Sequence, residues 1–172
     1  KKDVLTADES TRLIQCKFDR QSDDVRRAFL LSLFTGLRYC DVRELRYRNI
    51  NYEECTPTFQ QQKTKRTNTV PLRHDLIALI GRGEPDQLLF HVGSPTACNK
   101  ALQHWVERAG INKHITWHCA RHSFGALTYY NLKDLRATSE LLGHADTKVT
   151  QIYTKVFDDR KRELVDSLPA IE

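Results

Sequence analysis

The stretch TWHCARHSFGALTYYN, residues 116–131, has the pattern of a helix that carries polar chemistry on one face. His118 and Arg121 are three residues apart, so they share a face of a helix that begins near Thr116. His122 follows His118 by four residues and falls near the same face. This cluster is consistent with a partly exposed polar surface, a metal site, or half of an active site whose other half lies elsewhere.

The metal interpretation has little support. His118 and His122 have the spacing of helical zinc ligands, but the glutamate of an H-E-x-x-H motif is missing between them. Arg121 stands between the two histidines and would repel a cation. The five cysteines form no C-x-x-C pair and have no zinc-ligand spacing (Cys16, Cys40, Cys55, Cys98 and Cys119). We therefore predict no metal site, and we expect reduced thiols in a cytosol-like compartment.

The bulk composition bounds the class of protein. A chain of 172 residues with 40% hydrophobic and 28% charged residues suits one globular domain. Its longest apolar runs are too short for a membrane span, so no membrane partner is expected. The formal net charge of +5 favours a polyanionic partner, although only weakly.

Most of the chain has helical periodicity. Thr6 and Glu9 have the spacing of a capping box that opens the first helix. Gly36 is expected to end the second helix, and CDVRELRY, residues 40–47, to form a short third helix. In SPTACNKALQHWVERAG, Ser94 is predicted to cap a later helix. Further helices are predicted over HDLIALIG, DLRATSELLG and DTKVTQIYTKV, and one more in the tail DDRKRELVDSLPAIE before Pro169.

The segment from Asn49 to Leu72 has a different composition. It is rich in Thr, Asn, Gln and Tyr, which predicts two or three short antiparallel strands. The predicted fold class is therefore mainly α with a small antiparallel β-sheet (α+β), in a single domain.

Two further segments place basic residues where a phosphate could bind. In FTGLRYCDVREL, Arg38 follows the helix-ending Gly36, at the start of the next helix. Its planar guanidinium can form two parallel hydrogen bonds to a phosphate. In QQKTKRTN, Lys63, Lys65 and Arg66 occupy a predicted β-turn, from which long basic side chains can reach a nucleic-acid backbone.

The segment LLGHADTKVTQIYTKV adds His144 and Tyr153. Taken alone, His144 could cap a helix, and Tyr153 could be an aromatic core residue on an apolar stripe. Taken with the arginines, histidine and lysines, they complete the requirements of phosphodiester transesterification. That reaction needs a nucleophile, positive charge around the phosphate, and an acid for the leaving alkoxide.

Four segments, in this order, resemble the C-terminal catalytic domain of the tyrosine recombinase, or phage integrase, family: TGLRYCDVREL, QKTKR, HCARHSF and LLGHADTKVTQIYTKV. The resemblance covers essentially the whole chain. Its most specific part is H-x-x-R followed by L-L-G-H and by a tyrosine nine residues after that histidine. It implies the tyrosine recombinase catalytic-domain fold and DNA cleavage through a 3′-phosphotyrosine intermediate, without a cofactor.

The resemblance assigns roles at the scissile phosphate. It implies that Arg38 and Arg121 hold the non-bridging oxygens, and that His118 is a phosphate ligand and proton acceptor. It implies that Lys63 donates a proton to the departing 5′ oxygen. Lys65 is the alternative for that role and is otherwise a DNA contact.

The same resemblance covers the remaining positions. It implies that Tyr153 is the nucleophile and that His144 hydrogen-bonds the phosphate. It further implies that Asp41 and His122 orient the residues that bind the phosphate, and that Arg66 contacts DNA.

The expected function is that of a site-specific DNA recombinase, most simply an integrase of a mobile genetic element. The resemblance implies double-stranded DNA as the partner, a homo-tetramer on DNA with a monomer in isolation, and a DNA-associated location in the bacterial cytoplasm. The resemblance also implies that residues 1–172 form a single catalytic domain, and that the N-terminal core-binding domain of the family is absent from this chain.

Two alternatives use the same fold. A type IB topoisomerase shares the chemistry, but topoisomerases usually carry lysine at the position of His118. A non-catalytic DNA-binding regulator would bind DNA without forming a covalent adduct, and would be expected to have a broken catalytic set. An unrelated helical protein would require the four matches to be coincidental.

Overall fold

The computed structural model describes residues 3–60, 63, 65, 67–68, 70–132, 162–163 and 165–171. The predicted helices DLRATSELLG and DTKVTQIYTKV lie outside these residues. The helices are α1 (Ala7–Gln15), α2 (Asp24–Thr35), α3 (Tyr39–Val42), α4 (His74–Ile80), α5 (Pro95–Arg108) and α6 (Trp117–Leu132). The strands are β1 (Ile50–Asn51), β2 (Thr56–Pro57), β3 (Phe59–Gln60) and β4 (Thr67–Asn68).

The capping box predicted for α1 is confirmed. The Thr6 hydroxyl accepts a hydrogen bond from the Glu9 backbone, and the Glu9 carboxylate accepts one from the Thr6 backbone. One residue earlier, the Leu5 N–H donates to the hydroxyl of Ser123 at 2.8 Å. This buried contact joins the beginning of α1 to α6.

Helix α2 is the centre of the core. Its last eight residues, 28–35, are all buried, which is the pattern of a helix enclosed on every face. It packs against α3, α4, α5 and α6. As predicted, the helix ends at Gly36, whose φ of 77° is a left-handed conformation that glycine adopts without a steric penalty.

The prediction of a helix over CDVRELRY is wrong in its extent, because α3 ends at Val42. The following residues pair with a distant part of the chain. The carbonyl of Leu45 accepts from the N–H of Leu89 at 2.9 Å, and the N–H of Tyr47 donates to the carbonyl of Gln87 at 3.1 Å. These long-range bonds occupy backbone groups that a longer helix would have used.

The predicted antiparallel strands form two separate two-stranded pairs. β1 pairs with β2, with Ile50 opposite Pro57, and β3 pairs with β4, with Phe59 opposite Asn68. Among the described residues there are therefore four two-residue strands, where two or three strands were expected. At one end of the first pair, the Thr58 N–H still donates to the carbonyl of Asn49, but the Asn49 N–H turns back to the carbonyl of Arg46. At the other end, Cys55, with a φ of 53°, lies in the turn.

The ends of α5 match the prediction. The Ser94 hydroxyl accepts from the Ala97 N–H at 3.2 Å, and Pro95 occupies the first helical turn. Gly110, with a φ of 76°, lies just after the helix.

The described part of the C-terminal tail packs on the chain's own core. Val165, Leu168 and Ile171 are buried. Arg73, at the beginning of α4, donates to the carbonyl oxygens of Leu168 at 2.6 Å and Pro169 at 2.9 Å. Among the helices of the described residues, none has both the length and the apolar composition to cross a membrane.

Candidate active site

Arg38 is presented by the turn between two helices. It follows the left-handed Gly36 that ends α2, and its extended backbone (φ −75°, ψ 154°) makes it the N-cap of α3. The side chain is half-buried. Its Nη1 is inaccessible to solvent and, among the residues that the structure describes, has no hydrogen-bond partner. A buried charged donor of this kind is costly unless it is paired, so it is suited to an anionic ligand.

Arg121 reaches the same turn from α6. Its side chain is only 7% exposed, and its Nη1 donates to the carbonyl oxygen of Gly36 at 2.7 Å. Burial, followed by the positive charge of Arg38, lowers the pKa of Arg121 to about 10, against an opposing effect of Asp41. The site thus holds two guanidinium groups close enough to repel each other.

Asp41 supplies negative charge beside these two arginines. It lies in α3, it is 2% exposed, and its charge acts to raise the pKa of Arg121. It also contributes, after burial, to a raised pKa of the Cys40 thiol, which stays protonated at neutral pH. One buried carboxylate near two guanidinium groups leaves net positive charge, and such charge attracts a phosphate.

The two histidines of α6 lie one turn apart and touch. The ring centroids of His118 and His122 are 4.5 Å apart, with the rings perpendicular. His118 is exposed, whereas His122 is half-buried. The predicted shared face is therefore confirmed for this pair, while Arg121 points inward to the turn at Gly36.

The hairpin lysines are exposed. Lys63 lies in the turn between β3 and β4, and Lys65 has a left-handed φ of 56°. The carbonyl of Lys65 accepts from the side chain of Gln60 at 2.7 Å, which ties the turn to β3. Arg66, and the predicted His144 and Tyr153, lie outside the described residues.

Chemically, the described groups can bind a tetrahedral oxyanion. Two guanidinium groups offer several N–H donors to phosphate oxygens, and His118 adds an imidazole on the exposed side. Within the described ranges, no group of three or more His, Cys, Asp or Glu side chains is arranged to hold a metal ion.

Sequence reasoning missed three features of this site. The Gly36 carbonyl is the anchor of Arg121, and the rings of Tyr39 and Trp117 lie beside the two segments that carry the arginines. The available signal was positional: Tyr39 directly follows Arg38, and Trp117 directly precedes His118.

The profile of the phage integrase family matches residues 3–160. The chain is 31% identical over 183 residues to the tyrosine recombinase XerA of Pyrococcus furiosus, covering 98% of this chain and 62% of that protein. It is 34% identical over 185 residues to the tyrosine recombinase XerD of Oceanobacillus iheyensis, covering 96% of this chain and 61% of that protein. The chain belongs to the phage integrase family, and it spans less than two thirds of the length of these curated relatives.

Solved structures agree at the level of the fold. The chain is similar to the integrase of mycobacterium phage Brujita, with a TM-score of 0.76 at 24% identity, over 100% of this chain and 60% of that one. It is also similar to the lambda integrase catalytic core, with a TM-score of 0.63 at 19% identity, over 83% of this chain and 96% of that one. The predicted tyrosine recombinase catalytic-domain fold is thereby confirmed.

Proposed function

We propose that this chain contains the catalytic domain of a site-specific tyrosine recombinase, an integrase that cleaves and rejoins double-stranded DNA. The observation that carries the proposal is the pair of guanidinium groups of Arg38 and Arg121, brought to one turn and beside the buried carboxylate of Asp41. Membership of the phage integrase family supports it, and so do relatives named as tyrosine recombinases.

In this proposal the scissile phosphate sits between the two arginines. Arg38 and Arg121 bind its non-bridging oxygens, and these contacts strengthen as negative charge builds up on the pentavalent phosphorus. His118 binds the phosphate from the exposed side and accepts the proton of the nucleophile. Asp41 and His122 hold the phosphate-binding side chains in place.

The covalent step uses Tyr153. A tyrosine hydroxyl with an ordinary pKa of about 10 is a weak nucleophile at neutral pH, so nearby positive charge and a base are needed. Its oxygen forms a bond to phosphorus while the bond from phosphorus to the 5′ oxygen breaks. Lys63 donates a proton to that departing oxygen, and His144 hydrogen-bonds the phosphate. Attack by a 5′ hydroxyl of another strand reverses the step and rejoins DNA.

Double-stranded DNA is the proposed partner. Solved relatives support this choice, among them the site-specific recombinase XerH bound to its difH substrate and the Tn1549 transposon integrase in complex with circular intermediate DNA. Lys65 and Arg66 would contact the DNA backbone from the hairpin. We further propose one catalytic domain over residues 1–172, a homo-tetramer on DNA, and action in the bacterial cytoplasm. The 96% coverage of the lambda integrase catalytic core supports the domain assignment.

A covalent-trapping assay tests the function. The full protein that carries this chain is mixed with nicked total DNA of its source cells, without metal, and the DNA that remains attached after SDS treatment is recovered and sequenced. Tyr153→Phe removes only the proposed nucleophilic oxygen. Tyr52→Phe is the matched control, because the Tyr52 hydroxyl donates to the carbonyl of Gly81 at 2.7 Å and has no proposed part in catalysis.

The expected result is one DNA site attached to the wild type and to Tyr52→Phe, and none attached to Tyr153→Phe. Salt-sensitive binding of DNA without any adduct would favour the non-catalytic regulator. In a separate incubation with supercoiled DNA, relaxation without strand exchange between two sites would favour the topoisomerase.

A further inference from the structure

One ring contact joins the two segments that carry the phosphate-binding arginines. Tyr39 directly follows Arg38, and Trp117 lies one residue before His118 and four before Arg121. The rings of Tyr39 and Trp117 meet edge to face, with centroids 5.2 Å apart and planes inclined at 75°. This is a favourable aromatic geometry, and it acts directly between the start of α3 and the start of α6.

Trp117 is the fixed partner of this contact. It is 4% exposed, and its indole N–H donates to the hydroxyl of Ser32 in the buried part of α2 at 2.8 Å. Its backbone N–H donates to the side chain of Asn99 in α5 at 2.8 Å. The ring of Phe29 packs against it edge to face with centroids 5.8 Å apart. Trp117 is thus held by two neighbouring helices.

Tyr39 is held at its far end as well. Its hydroxyl donates to the carbonyl oxygen of Gly93, just before α5, and the Arg43 guanidinium lies over its ring at 5.8 Å from the centroid. Burial raises the pKa of Tyr39, and the Cys98 thiol adds to this, so the phenol remains a protonated donor at neutral pH.

Helix α3 by itself is too short to place Arg38. It has four residues, and its N-cap Arg38 makes no side-chain capping bond. A single helical turn is unstable alone, so its position depends on tertiary contacts. Those contacts include the Tyr39 ring on one side and the turn at Gly36 on the other.

We propose that Tyr39 and Trp117 form a positioning pair that sets where Arg38 lies relative to Arg121 and His118. The pair touches no substrate and acts through the two arginines. Its catalytic consequence rests on the proposed function, whereas its effect on anion binding does not. A displacement of about 1 Å at a reacting group can reduce a rate by about 100-fold, which is the scale of effect expected here.

The test uses variants that take the pair apart in steps. Tyr39→Leu removes the ring, and Tyr39→Phe keeps the ring but removes the bond to Gly93. Phe18→Leu is the matched control, because Phe18 meets Trp105 in the same edge-to-face manner, with centroids 5.5 Å apart and planes at 81°, remote in sequence from both arginines. All three variants are compared in free energy of unfolding, single-turnover cleavage rate at saturating DNA, and Kd for DNA.

A second readout does not require cleavage. The Nε–Hε NMR signals of Arg38 and Arg121 are followed at neutral pH as inorganic phosphate is added. Both signals should move with one shared Kd in the wild type, because two correctly placed arginines share one anion. Tyr39→Leu should weaken that Kd by about tenfold, comparable to losing one charge-assisted hydrogen bond.

We expect Tyr39→Leu to lower the cleavage rate by about 100-fold and to weaken the Kd for DNA by no more than about tenfold, as for phosphate. Tyr39→Phe should give values between those of Tyr39→Leu and the wild type. Phe18→Leu should lower the free energy of unfolding but leave the cleavage rate and the Kd for DNA unchanged. The proposal is overturned if both Tyr39 variants match the wild type in cleavage rate and phosphate affinity. It is also overturned if their losses in rate and affinity are no larger than those of Phe18→Leu. If Tyr39→Leu does not fold, Tyr39→Phe decides. If wild-type protein binds phosphate but forms no adduct, the proposed function fails while the phosphate titration still tests the pair.

Discussion

Arg121 donates from Nη1 to the carbonyl oxygen of Gly36 at 2.7 Å, two residues before Arg38 in the chain. The guanidinium from α6 therefore holds the same turn that presents the other arginine. The turn exists because Gly36 adopts a left-handed φ of 77° at the end of the buried helix α2. A contact across 85 residues thus fixes the relative placement of two charges that repel each other.

Replacing either arginine by alanine should affect cleavage far more than binding. Contacts to the phosphate strengthen in the transition state, so we expect Arg38→Ala and Arg121→Ala to lower the cleavage rate by about 100-fold or more. The Kd for DNA should change by less than about tenfold. Single-turnover cleavage and binding titrations measure the two effects. Arg108→Ala, which removes an exposed arginine paired with Asp19, is the control for lost charge. Equal losses in cleavage rate and in affinity for DNA would contradict the proposed binding of the phosphate by the two arginines.

The lowered pKa of Arg121 should depend on its neighbour. Because the folded-state pKa of about 10 lies below the unfolded value, the unfolded chain binds this proton more tightly. The resulting penalty to stability is present below pH about 10 and is relieved as the pH rises towards the unfolded pKa. Carbon NMR of the Arg121 Cζ should give a higher pKa for Arg121 in the Arg38→Gln variant than in the wild type. The reason is that the variant lacks the repulsion between the two guanidinium groups.

Arg26→Gln is the matched control for that titration. Arg26 is paired with Asp23 on the outer part of α2, and its removal should leave the pKa of Arg121 unchanged. Inorganic phosphate should raise the pKa of Arg121 in the wild type, since a bound anion stabilises the charged form. An Arg121 pKa that is the same in Arg38→Gln and in the wild type would rule out close coupling of the two guanidinium groups.

A sulfur substitution in the DNA should identify the general acid. A 5′-thio leaving group needs no proton, so Lys63→Ala should be slow on ordinary DNA and restored on 5′-thio DNA. Lys65→Gly is the comparison, because glycine tolerates the φ of 56° at that position and stability is preserved. Rescue of the Lys65 variant alone would transfer the acid role to Lys65.

The buried bond between Trp117 and Ser32 should be important for stability. Ser32→Ala leaves the indole N–H without its acceptor at 2.8 Å, and an unsatisfied buried donor costs about 1–3 kcal/mol. Ser10→Ala is the matched control: its hydroxyl donates to the Thr6 carbonyl, which also accepts from the Ser10 N–H. Urea unfolding measures both. If Ser32→Ala lowers the free energy of unfolding no more than Ser10→Ala does, the bond between Trp117 and Ser32 does not hold α6 on α2.

Arg73 should anchor the C-terminal tail. It is 9% exposed and donates to Leu168, Pro169 and the carboxylate of Asp75. Arg73→Met keeps much of the apolar stem but leaves the carbonyl oxygens of Leu168 and Pro169 without this donor. It also removes the cation beside the Asp75 carboxylate, which still accepts from the Ile171 N–H, so we expect a loss of about 3–5 kcal/mol in the free energy of unfolding. Arg26→Ala, which breaks a more exposed pair, should lose less than about 1 kcal/mol. Comparable losses in the two variants would show that the tail is not held by Arg73.

The ends of the helices were readable from the sequence because they depend on neighbours within four residues. Thr6 with Glu9, Gly36 after α2, and Ser94 before α5 were all predicted and are all present. The extent of α3 was not readable, since its end follows from pairing with residues at least 40 positions away. The division of the strands into two pairs likewise depends on backbone partners that periodicity does not reveal.

For the candidate site, the sequence by itself determined which residue types stand at which spacing. Arg38, His118 and Arg121 were chosen from motif order, and that order was enough to predict the family. Only the tertiary structure decided that Arg121 is buried and bonded to Gly36 while His118, on the same helix, stays exposed. The physical reason is that burial and charge coupling arise where α3 and α6 meet on α2, across some 85 residues, where helical periodicity carries no information.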